Sequence, residues 1–506
     1  MTRRTKQHQP GTSTESSTAD LPKGWTETTL DHLLVSLESG SRPRGGVRGI
    51  ADGIPSVGAE HLNADGGFRF ENIKFVPQTF FRRMARGIIR QGDVLVVKDG
   101  ATTGKVALVR SDFPYSDAAV NEHVFVCRPS KGLKSAFLFL YLFSKEGQER
   151  ILENFRGSAQ GGINQNFAPG TVVPLAPLAE QKRIVAKVEE LLSRVNAARE
   201  RLSEVPAIFK RFRQSVLAAA CSGRLTEEWR KANPDVESGL WLLNRIHDVR
   251  LSSAVSSKEK NQIAEAFRPE MLDVAEGELA IPAIPEWALC RIGAIGKVVN
   301  GSTPSRKNEA FWGKDIPWVS SGEVRNNLIT GTHEKISQAG YENCSVQLLP
   351  IGTVLIAMIG EGKTRGQSAI LKIDATINQN SAAILLTHGL VVSEYLWRWL
   401  QFQYEMTRAQ GSGSGPQALN CQRVRELPFL LPPLAEQHEI VRLVEELLKL
   451  TDKIEKQVAQ GNVQAENLTQ AILAKAFRGE LAPQNPDDEP ASKLLERIRS
   501  ERTVIL

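Results

Sequence analysis

The chain has few cysteines for its length, and none of them lies near another. Its 506 residues include five cysteines, which are widely separated and form no Cys-x-x-Cys pair. A structural zinc site needs clustered ligands, and a small disulfide-stabilised domain needs many cysteines. The sequence therefore indicates neither kind of site, and the cysteines are expected to be small buried residues in a reducing cytoplasm.

Long apolar runs and familiar catalytic motifs are also missing. No segment approaches the roughly 20 apolar residues that a membrane helix needs. We find no Ser/His/Asp order, no HExxH, no GxGxxG after a strand and no Asp-Pro-Pro-Tyr-like tetrapeptide. Residues 1–20, rich in Ser and Thr and without the apolar core of a signal peptide, are expected to be a disordered tail. These absences predict a soluble cytoplasmic protein without a catalytic or metal site of its own.

What the sequence does have is length and an excess of positive charge. A single hydrophobic core stops growing at about 250–300 residues, so two or more domains are expected. An apolar fraction of 41% with 24% charged residues is typical of an ordinary folded protein. The net charge of +6 suits a polyanionic partner, because Lys and Arg that neutralise phosphates supply most non-specific DNA affinity.

The chain repeats itself at an offset of 256 residues. Residues 177–192 read PLAEQKRIVAKVEELL and residues 433–448 read PLAEQHEIVRLVEELL, so twelve of sixteen positions are identical. The residues before these segments correspond more loosely, as in Gly40–Pro43 and Gly301–Pro304. Similar helical segments that follow dissimilar heads predict a shared scaffold holding two readers of different targets.

Each repeated segment has the spacing of a coiled-coil helix. Its seam positions alternate at intervals of four and three residues: Ile184, Val188, Leu191, Val195, Ala198 and Leu202 in the first copy, and Ile440, Val444, Leu447, Thr451, Ile454 and Val458 in the second. This pattern predicts a first helix from about residue 178 to Val205, where Pro206 should break or kink it.

Two seams of equal length in one chain can bury each other as an antiparallel pair. A helix of this length spans roughly 40 Å, which is comparable with the about 34–36 Å between DNA half-sites one helical turn apart. The helices are therefore predicted to set a distance between the two heads. The alternative is that each helix packs only on its own head.

The heads are predicted to be mixed α/β domains. Short β-rich runs at 94–98, 106–109 and 123–127 are separated by Gly, Pro, Asn and Asp, and apolar helical stretches follow at 136–142 and 393–402. The predicted fold is mixed α/β, with two globular heads separated and joined by long helices in an antiparallel coiled coil with a pseudo-two-fold repeat. The predicted divisions are a tail at 1–20, heads at 21–175 and 282–431, helical regions at 176–251 and 432–506, and a linker at 252–281.

One glycine-rich segment fits a permissive phosphate-binding pattern. Residues 357–364 read Ala-Met-Ile-Gly-Glu-Gly-Lys-Thr. A phosphate-binding loop needs a strand before it and a helix N-terminus after it. The residues that follow, 365–371, resemble another strand, and the first copy has no hydroxyl after Lys105. A β-turn that presents a lysine is the preferred interpretation of both copies, and an ATP-binding enzyme that uses Lys363 is the alternative.

Together these motifs resemble the specificity subunit of type I restriction-modification systems. The segments that match are Leu-Pro-Lys-Gly-Trp at 21–25, the two Pro-Leu-Ala-Glu-Gln helices, and the basic or Ala-rich helical stretches at 210–217 and 468–481. The resemblance covers nearly all of the chain after residue 20. Its motifs are highly specific in the helices, whereas the heads match in outline only. It implies that each head reads one half of a split, asymmetric site on double-stranded DNA, and that the chain itself does no catalysis.

The resemblance also implies partners and cofactors that belong to other subunits. Two modification (methyltransferase) subunits would dock on the helices and bring S-adenosylmethionine, and two restriction (translocase/nuclease) subunits would use ATP and Mg²⁺. No cofactor is expected on this chain. Two alternatives stay open: a recognition subunit of a modification-only or other multisubunit restriction system, and a pure scaffold whose heads bind protein.

Candidate site residues follow from the basic and amide-rich loops, because Arg, Asn and Gln read guanine and adenine edges. In the first head the predicted DNA contacts are Arg42, Arg44, Lys98, Lys105, Gln160, Asn164 and Asn166. In the second head they are Thr303, Arg306, Lys307, Lys363, Arg365, Gln417 and Asn420. Four residues at the helix starts are predicted to cap helices or to contact the modification subunits: Glu180, Gln181, Glu436 and Gln437.

Overall fold

The structure is a computed structural model whose described residues fall into two units. It describes residues 21–157, 161–274, 279, 281, 284–360, 362–386, 389–409 and 418–505. The predicted tail at 1–20 and the predicted site residues Gln160 and Gln417 lie outside these ranges. Unit 1 combines Met1–Ser203 with Ala459–Leu506, and unit 2 is Glu204–Val458. None of the helices within these ranges combines the length and apolarity that crossing a membrane requires.

The first head, in unit 1, is built from short strands and short helices. Its strands are β1 (Thr26–Thr29), β2 (Leu34–Ser39), β3 (Ile54–Val57), β4 (Lys74–Val76), β5 (Val94–Val97), β6 (Val106–Leu108), β7 (Ala119–Val120), β8 (Val124–Pro129) and β9 (Val172–Leu175). Its helices are α1 (Leu30–Leu33), α2 (Gln78–Phe81), α3 (Ser135–Phe143), α4 (Lys145–Leu152) and α5 (Phe167–Gly170).

A long helix follows the first head and is longer than predicted. The helices of this region are α6 (Leu178–Cys221), α7 (Glu227–Ala232), α8 (Gly239–Ser253), α9 (Ser257–Ala266) and α10 (Pro269–Leu272). The predicted end at Val205 is wrong, because α6 continues through Pro206. A proline inside a helix costs about 3 kcal/mol. Val195 before the proline and Val216 after it are buried, so the helix is packed on either side of Pro206.

The stretch at 252–281, predicted as a linker with some helix, is partly helical where the structure describes it. It contains α9 and α10, and Ile263 of α9 is buried. Phe267 and Leu272 pack against the hydrophobic core of unit 2. These apolar side chains fold the described part of the stretch onto the unit that contains the second head.

The second head, in unit 2, repeats the first. Its strands are β10 (Ala288–Arg291), β11 (Gly296–Asn300), β12 (Trp312–Val319), β13 (Asn327–Ile329), β14 (Glu334–Ile336), β15 (Val354–Ala357), β16 (Ser368–Leu371), β17 (Thr376–Ile377), β18 (Ser381–Leu386) and β19 (Pro428–Leu431). Its helices are α11 (Ile292–Ile295), α12 (Gln338–Glu342), α13 (Ser393–Phe402), α14 (Tyr404–Ala409) and α15 (Cys421–Glu426). Two helices follow this head, α16 (Leu434–Phe477) and α17 (Ala491–Ile505).

The two heads share one strand topology. The first has a sheet of order β2-β8-β5-β6 and a second sheet of order β4-β3-β7. The second head has the order β11-β18-β15-β16, with β13 added at the edge, and β14-β12-β17. In each head the strands at its two ends pair antiparallel, β1 with β9 and β10 with β19. The predicted repeat of mixed α/β heads is confirmed.

The central strand of each head is buried on both faces. In β5, Val94 and Val96 belong to one hydrophobic cluster, and Leu95 and Val97 belong to another. Strand β15 divides its side chains between two clusters in the same way. An unbroken apolar run is what such a doubly covered strand requires.

Within each unit, a stretch of α6 lies beside a stretch of α16 that runs in the opposite direction. In unit 1 an Arg199 guanidinium nitrogen lies 3.3 Å from a Glu466 carboxylate oxygen. In unit 2 the guanidinium of Arg213 lies 2.8 Å from Asp452 and 2.6 Å from Glu455. The predicted antiparallel pairing is therefore confirmed within each unit, and the alternative that each helix packs only on its own head is wrong.

Half of the predicted seam positions are buried, and the others are half-buried or exposed. The buried positions are Ile184, Val188 and Val195 on α6, and Ile440, Val444 and Thr451 on α16. Ala198 and Ile454 are exposed. The last seam positions, Leu202 and Val458, are half-buried again, so the exposed positions are local interruptions of the seam.

Candidate nucleic-acid interface

Each long helix begins with a glutamate and a glutamine that attach it to its own head. In unit 1 the Trp25 indole N–H donates to Glu180 Oε2 at 3.0 Å. The Gln181 side chain accepts from the Lys134 backbone N–H at 3.0 Å and donates to the Ala176 carbonyl at 2.8 Å. The tryptophan that begins the head and the glutamate that begins the helix are therefore hydrogen-bonded partners.

Unit 2 repeats this arrangement. The Trp287 indole N–H donates to Glu436 Oε2 at 2.8 Å. The Gln437 side chain accepts from the Val392 backbone N–H at 2.8 Å and donates to the Pro432 carbonyl at 2.9 Å. The two motifs recur together in the sequence because they contact each other in the fold.

The four helix-start residues are therefore internal. Glu180 is 1% exposed, and Gln181, Glu436 and Gln437 are 0% exposed. Buried polar groups are stable only when they are hydrogen-bonded, and these four bond to their own unit. Through these bonds they join each helix to its head, and their contact with a modification subunit stays a prediction.

The two glutamates differ in how well they are paired. Glu436 also accepts a hydrogen bond from Thr226 Oγ1 at 2.6 Å and forms an ion pair with Arg230. The Oε1 atom of Glu180 has no hydrogen-bond partner among the residues that the structure describes. Burial raises the pKa of Glu180 from its ordinary value.

Replacing Glu180 with glutamine is expected to raise the free energy of unfolding at pH 8 by up to about 1 kcal/mol, because it removes a poorly paired buried charge. A carboxyl whose pKa is raised on folding stabilises the fold less as pH rises through that pKa. The gain of Glu180→Gln over the original protein should therefore shrink at pH 5. Denaturant unfolding at both pH values measures it, and a loss of stability at pH 8 would contradict it.

The loops predicted to contact DNA meet around residues 121–123 in the first head. Arg42 Nε lies 2.9 Å from Glu122 Oε2. The Lys98 backbone N–H donates to the His123 carbonyl at 2.8 Å, and the Ile163 N–H donates to the Lys98 carbonyl at 2.8 Å. Four segments therefore converge: the loop after β2, the end of β5, the β7–β8 loop and the loop that ends the head.

The same four segments converge in the second head. Thr303 Oγ1 donates to Gln379 Oε1. The Met358 backbone N–H donates to the Asn380 carbonyl at 2.9 Å, and the Leu419 N–H donates to the Met358 carbonyl at 2.9 Å. Met358 thus occupies the position of Lys98, and the loop 378–380 occupies that of 121–123.

A glycine permits the close approach of two of these segments in each head. A Cβ atom at Gly40 would lie 1.7 Å from the Val120 carbonyl oxygen, and one at Gly301 would lie 1.9 Å from that of Ile377. Neither site has room for a side chain, because real Cβ atoms essentially never come within 3.0 Å of such neighbours. The repeated glycine is therefore a requirement of the convergence.

Most of the other predicted DNA contacts lie on the surface. The exposed ones are Arg44, Asn164, Asn166, Arg306, Lys307, Lys363 and Asn420. Arg306 is held in place, since its Nη2 lies 2.9 Å from Glu334 Oε2 and its guanidinium lies 3.8 Å from the centre of the Trp312 ring.

Two predicted contacts face inward instead. Lys105 is half-buried, and its Nζ donates to the Leu62 carbonyl at 3.1 Å. Arg365 is only 7% exposed, and it donates to the Arg408 carbonyl at 3.2 Å. Each of these cations binds a carbonyl group within its own head.

The glycine-rich segments are β-hairpin turns. Strands β5 and β6 pair antiparallel, and so do β15 and β16. A strand, not a helix N-terminus, follows each turn, so the phosphate-binding alternative fails. The N–H groups of Gly104 and Gly366 bond equivalent carbonyls on Val97 and Ala357, both at 2.9 Å. Lys105 therefore corresponds to Gln367, and in the second head Lys363 lies exposed in this turn.

One family model matches the chain twice. The family model described as the type I restriction modification DNA specificity domain matches residues 54–207 and 285–461. These two matches cover more than half of the chain. The chain belongs to this type I specificity family.

Similar members of the type I specificity family span most of the chain. The specificity subunit of the Escherichia coli type I restriction enzyme EcoDI is 30% identical over 384 residues, 72% of this chain and 76% of that protein. That of StySPI from Salmonella potsdam is 26% identical over 508 residues, 96% of each chain.

Two solved structures share the fold. One comes from work on complex assembly and conformational transition of the type I R-M system, with a TM-score of 0.62 and 22% identity over 91% of this chain and 100% of that one. The HsdS subunit from Thermoanaerobacter tengcongensis gives a TM-score of 0.53 and 21% identity over 92% of this chain and 99% of that one.

The sequence did not lead us to the two loops at which the four segments of each head meet. Glu122 and His123 in the first head, and Gln379 and Asn380 in the second, were not among the predicted contacts. The sequence did contain a repeated feature that marks these loops. In both copies a buried apolar strand is followed directly by an asparagine, Asn121 after β7 and Asn378 after β17. The two residues after that asparagine differ between the copies, so the repeat is not visible at these positions.

Proposed function

We propose that this chain is the DNA-recognition subunit of a type I restriction-modification complex. Its two heads would read the two halves of a bipartite, asymmetric target with a fixed spacer. The observation that carries the proposal is the convergence of the same four segments in both heads, with different side chains on them. The same arrangement of four backbone segments with different polar side chains suits direct reading of two different half-sites.

The catalytic steps belong to other subunits in this proposal. Two modification subunits would bind S-adenosylmethionine and methylate adenine in each half-site. Two restriction subunits would use ATP and Mg²⁺ for translocation and cleavage in the cytoplasm. This chain directs both activities, with heads at 21–175 and 282–431, helical regions at 176–251 and 432–506, and the stretch 252–281 between them.

We propose that the modification subunits dock on exposed faces of the long helices, since the helix-start residues are internal. Ile208 and Phe212 lie one turn apart on α6 and are both exposed, and Leu450 is exposed on α16. Exposed apolar side chains close together often mark a protein interface.

Selection from a random library of duplexes tests the DNA-reading function. The purified complex of this chain with its modification subunit is mixed with the library, and the bound fraction is sequenced. We expect one split motif with a constant spacer. If no motif is enriched and affinity does not fall with salt, the scaffold alternative is correct, because phosphate contacts make affinity steeply salt-dependent. If the motif is enriched but no restriction subunit co-purifies from cells that express it, the modification-only alternative is correct.

Replacing Lys363 with alanine is expected to weaken binding to specific and unrelated duplexes alike, because its amine is exposed on a hairpin turn without a base-reading fork. The slope of log affinity against log salt should become shallower by about one. Titrations at several salt concentrations measure it, and Lys105→Ala is the control, because that amine bonds a carbonyl within the head. An unchanged slope would contradict a phosphate contact at Lys363.

A further inference from the structure

Two loops with the same backbone geometry carry different side chains in the two heads. Asn121 Oδ1 accepts from the His123 backbone N–H at 2.9 Å. Asn378 Oδ1 accepts from the Asn380 backbone N–H at 3.2 Å. This turn, in which asparagine binds the backbone two residues ahead, sets the direction of the residues that follow it. Any difference in what the loops can bind therefore comes from their side chains.

In the first head, an arginine, two carboxylates and a histidine form a connected network, which we call the first quartet: Arg42, Asp99, Glu122 and His123. Arg42 Nε lies 2.9 Å from Glu122 Oε2, and His123 Nε2 lies 3.3 Å from Glu122 Oε1. His123 Nδ1 lies 2.6 Å from Asp99 Oδ1. Each side chain keeps between 33% and 41% of its surface exposed. The network thus holds its groups in place while part of each side chain stays exposed, although the Glu122 Oε2 atom beside Arg42 is itself buried.

The equivalent positions of the second head carry no charge. We call these the second quartet: Thr303, Ile359, Gln379 and Asn380. Ile359 follows Met358 as Asp99 follows Lys98, and its side chain is 38% exposed. Gln379 is exposed and accepts a hydrogen bond from Thr303. The second head therefore offers amides and one methyl-rich side chain where the first offers charges.

We propose that each quartet reads one base pair of its half-site, with a preference for C·G in the first head and for A·T in the second. The inference rests on the proposed DNA-reading function. Arginine pairs with the O6 and N7 of guanine, and glutamate accepts from the cytosine amino group. Glutamine pairs with adenine N6 and N7, and an apolar side chain contacts the thymine methyl. The two quartets match these opposite preferences.

The quartets are not explained by stability alone. Ion pairs as exposed as that between Arg42 and Glu122 contribute little to folding. Fixing a polar side chain with a second side chain before binding lowers the entropy that recognition costs. Arg42 holds Glu122 of the β7–β8 loop in this way. Thr303 holds Gln379 of the β17–β18 loop. Preorganised, accessible groups at the meeting point of four loops are what base reading requires.

Exchanging the quartets tests the inference. In one variant the first quartet is converted to the second by Arg42→Thr, Asp99→Ile, Glu122→Gln and His123→Asn. The complex with the modification subunit is then used for selection from the duplex library. We expect one C·G pair of the first half-site to become A·T, with a preference change of roughly tenfold to a hundredfold. The second half-site and the spacer should stay as they were.

The control for charge is Glu149→Gln, which removes an exposed carboxylate from α4 outside the quartet and should leave the motif unchanged. The single variant Gln379→Glu should weaken the A·T preference of the second half-site alone. It changes no side-chain size, so it also serves if the fourfold variant does not fold. An unaltered motif in Gln379→Glu or in the folded fourfold variant overturns the inference. If the original protein selects no split motif at all, the proposed function is overturned instead.

Discussion

Replacing Glu436 with glutamine is expected to lower the free energy of unfolding by about 3 kcal/mol, because it breaks a buried ion pair and leaves Arg230 without its carboxylate. Glu436 is fully buried and also accepts hydrogen bonds from Trp287 and Thr226. One side chain therefore joins the second head, the start of α16 and the turn before α7. Denaturant unfolding at pH 8 measures the change.

The matched control is the same substitution at Glu180, its counterpart in the first copy. Glu180 keeps the tryptophan hydrogen bond but has no described partner on its second oxygen. Glu180→Gln and Glu436→Gln should therefore change stability in opposite directions. Equal losses at both sites would show that the ion pair with Arg230 is not what distinguishes Glu436, because glutamine can still accept the tryptophan N–H at either site.

Inserting four residues into each long helix at the boundary between the units is expected to lengthen the spacer of the DNA target and leave both half-sites unchanged. The insertions follow Ser203 in α6 and Val458 in α16, where the chain passes from one unit to the other. Four helical residues add about 6 Å, which is close to two base pairs of DNA. Library selection with the variant complex reads the spacer directly, and the original target should no longer be selected.

The control is a four-residue insertion in the turn 233–235, which lies outside both long helices. It should leave the spacer as it was. Changed half-sites in the helix variant would show that the helices take part in base reading. An unchanged spacer would show that the helices do not set the distance, and the proposed role of α6 and α16 would then fail.

The scaffold was predictable from sequence because it is encoded by local periodicity. The heptad spacing identified both helices and their antiparallel pairing, and the repeated motifs identified two copies of one head. The end of α6 was not predictable in this way. Pro206 disfavours a helix locally, yet α6 continues through it, with buried residues such as Val195 before it and Val216 after it.

The candidate site was predictable only in outline. Which loops carry basic and amide groups is visible in the sequence, and Arg42 and Thr303 lie where those loops meet. Whether a cation faces outward depends on distant carbonyls, such as Leu62 for Lys105 and Arg408 for Arg365. Such contacts join residues far apart in the chain, so composition and spacing do not encode them.

The pairing of Trp25 with Glu180 shows what a repeat can add to sequence reasoning. The two residues are 155 positions apart, yet each belongs to a motif that recurs in the second copy. Two motifs that recur together are candidates for direct contact. By the same reasoning, positions that share a backbone frame but differ in side chain are candidates for specificity.

Single-molecule sequencing of modified adenine tests the central claim most directly. Cells that carry this gene and its neighbouring modification gene are compared with cells that lack this gene alone. The account predicts a single split motif, methylated on both strands, that disappears when the gene is removed. A genome with no gene-dependent motif, although the modification subunit is active, would contradict the account and favour the scaffold alternative.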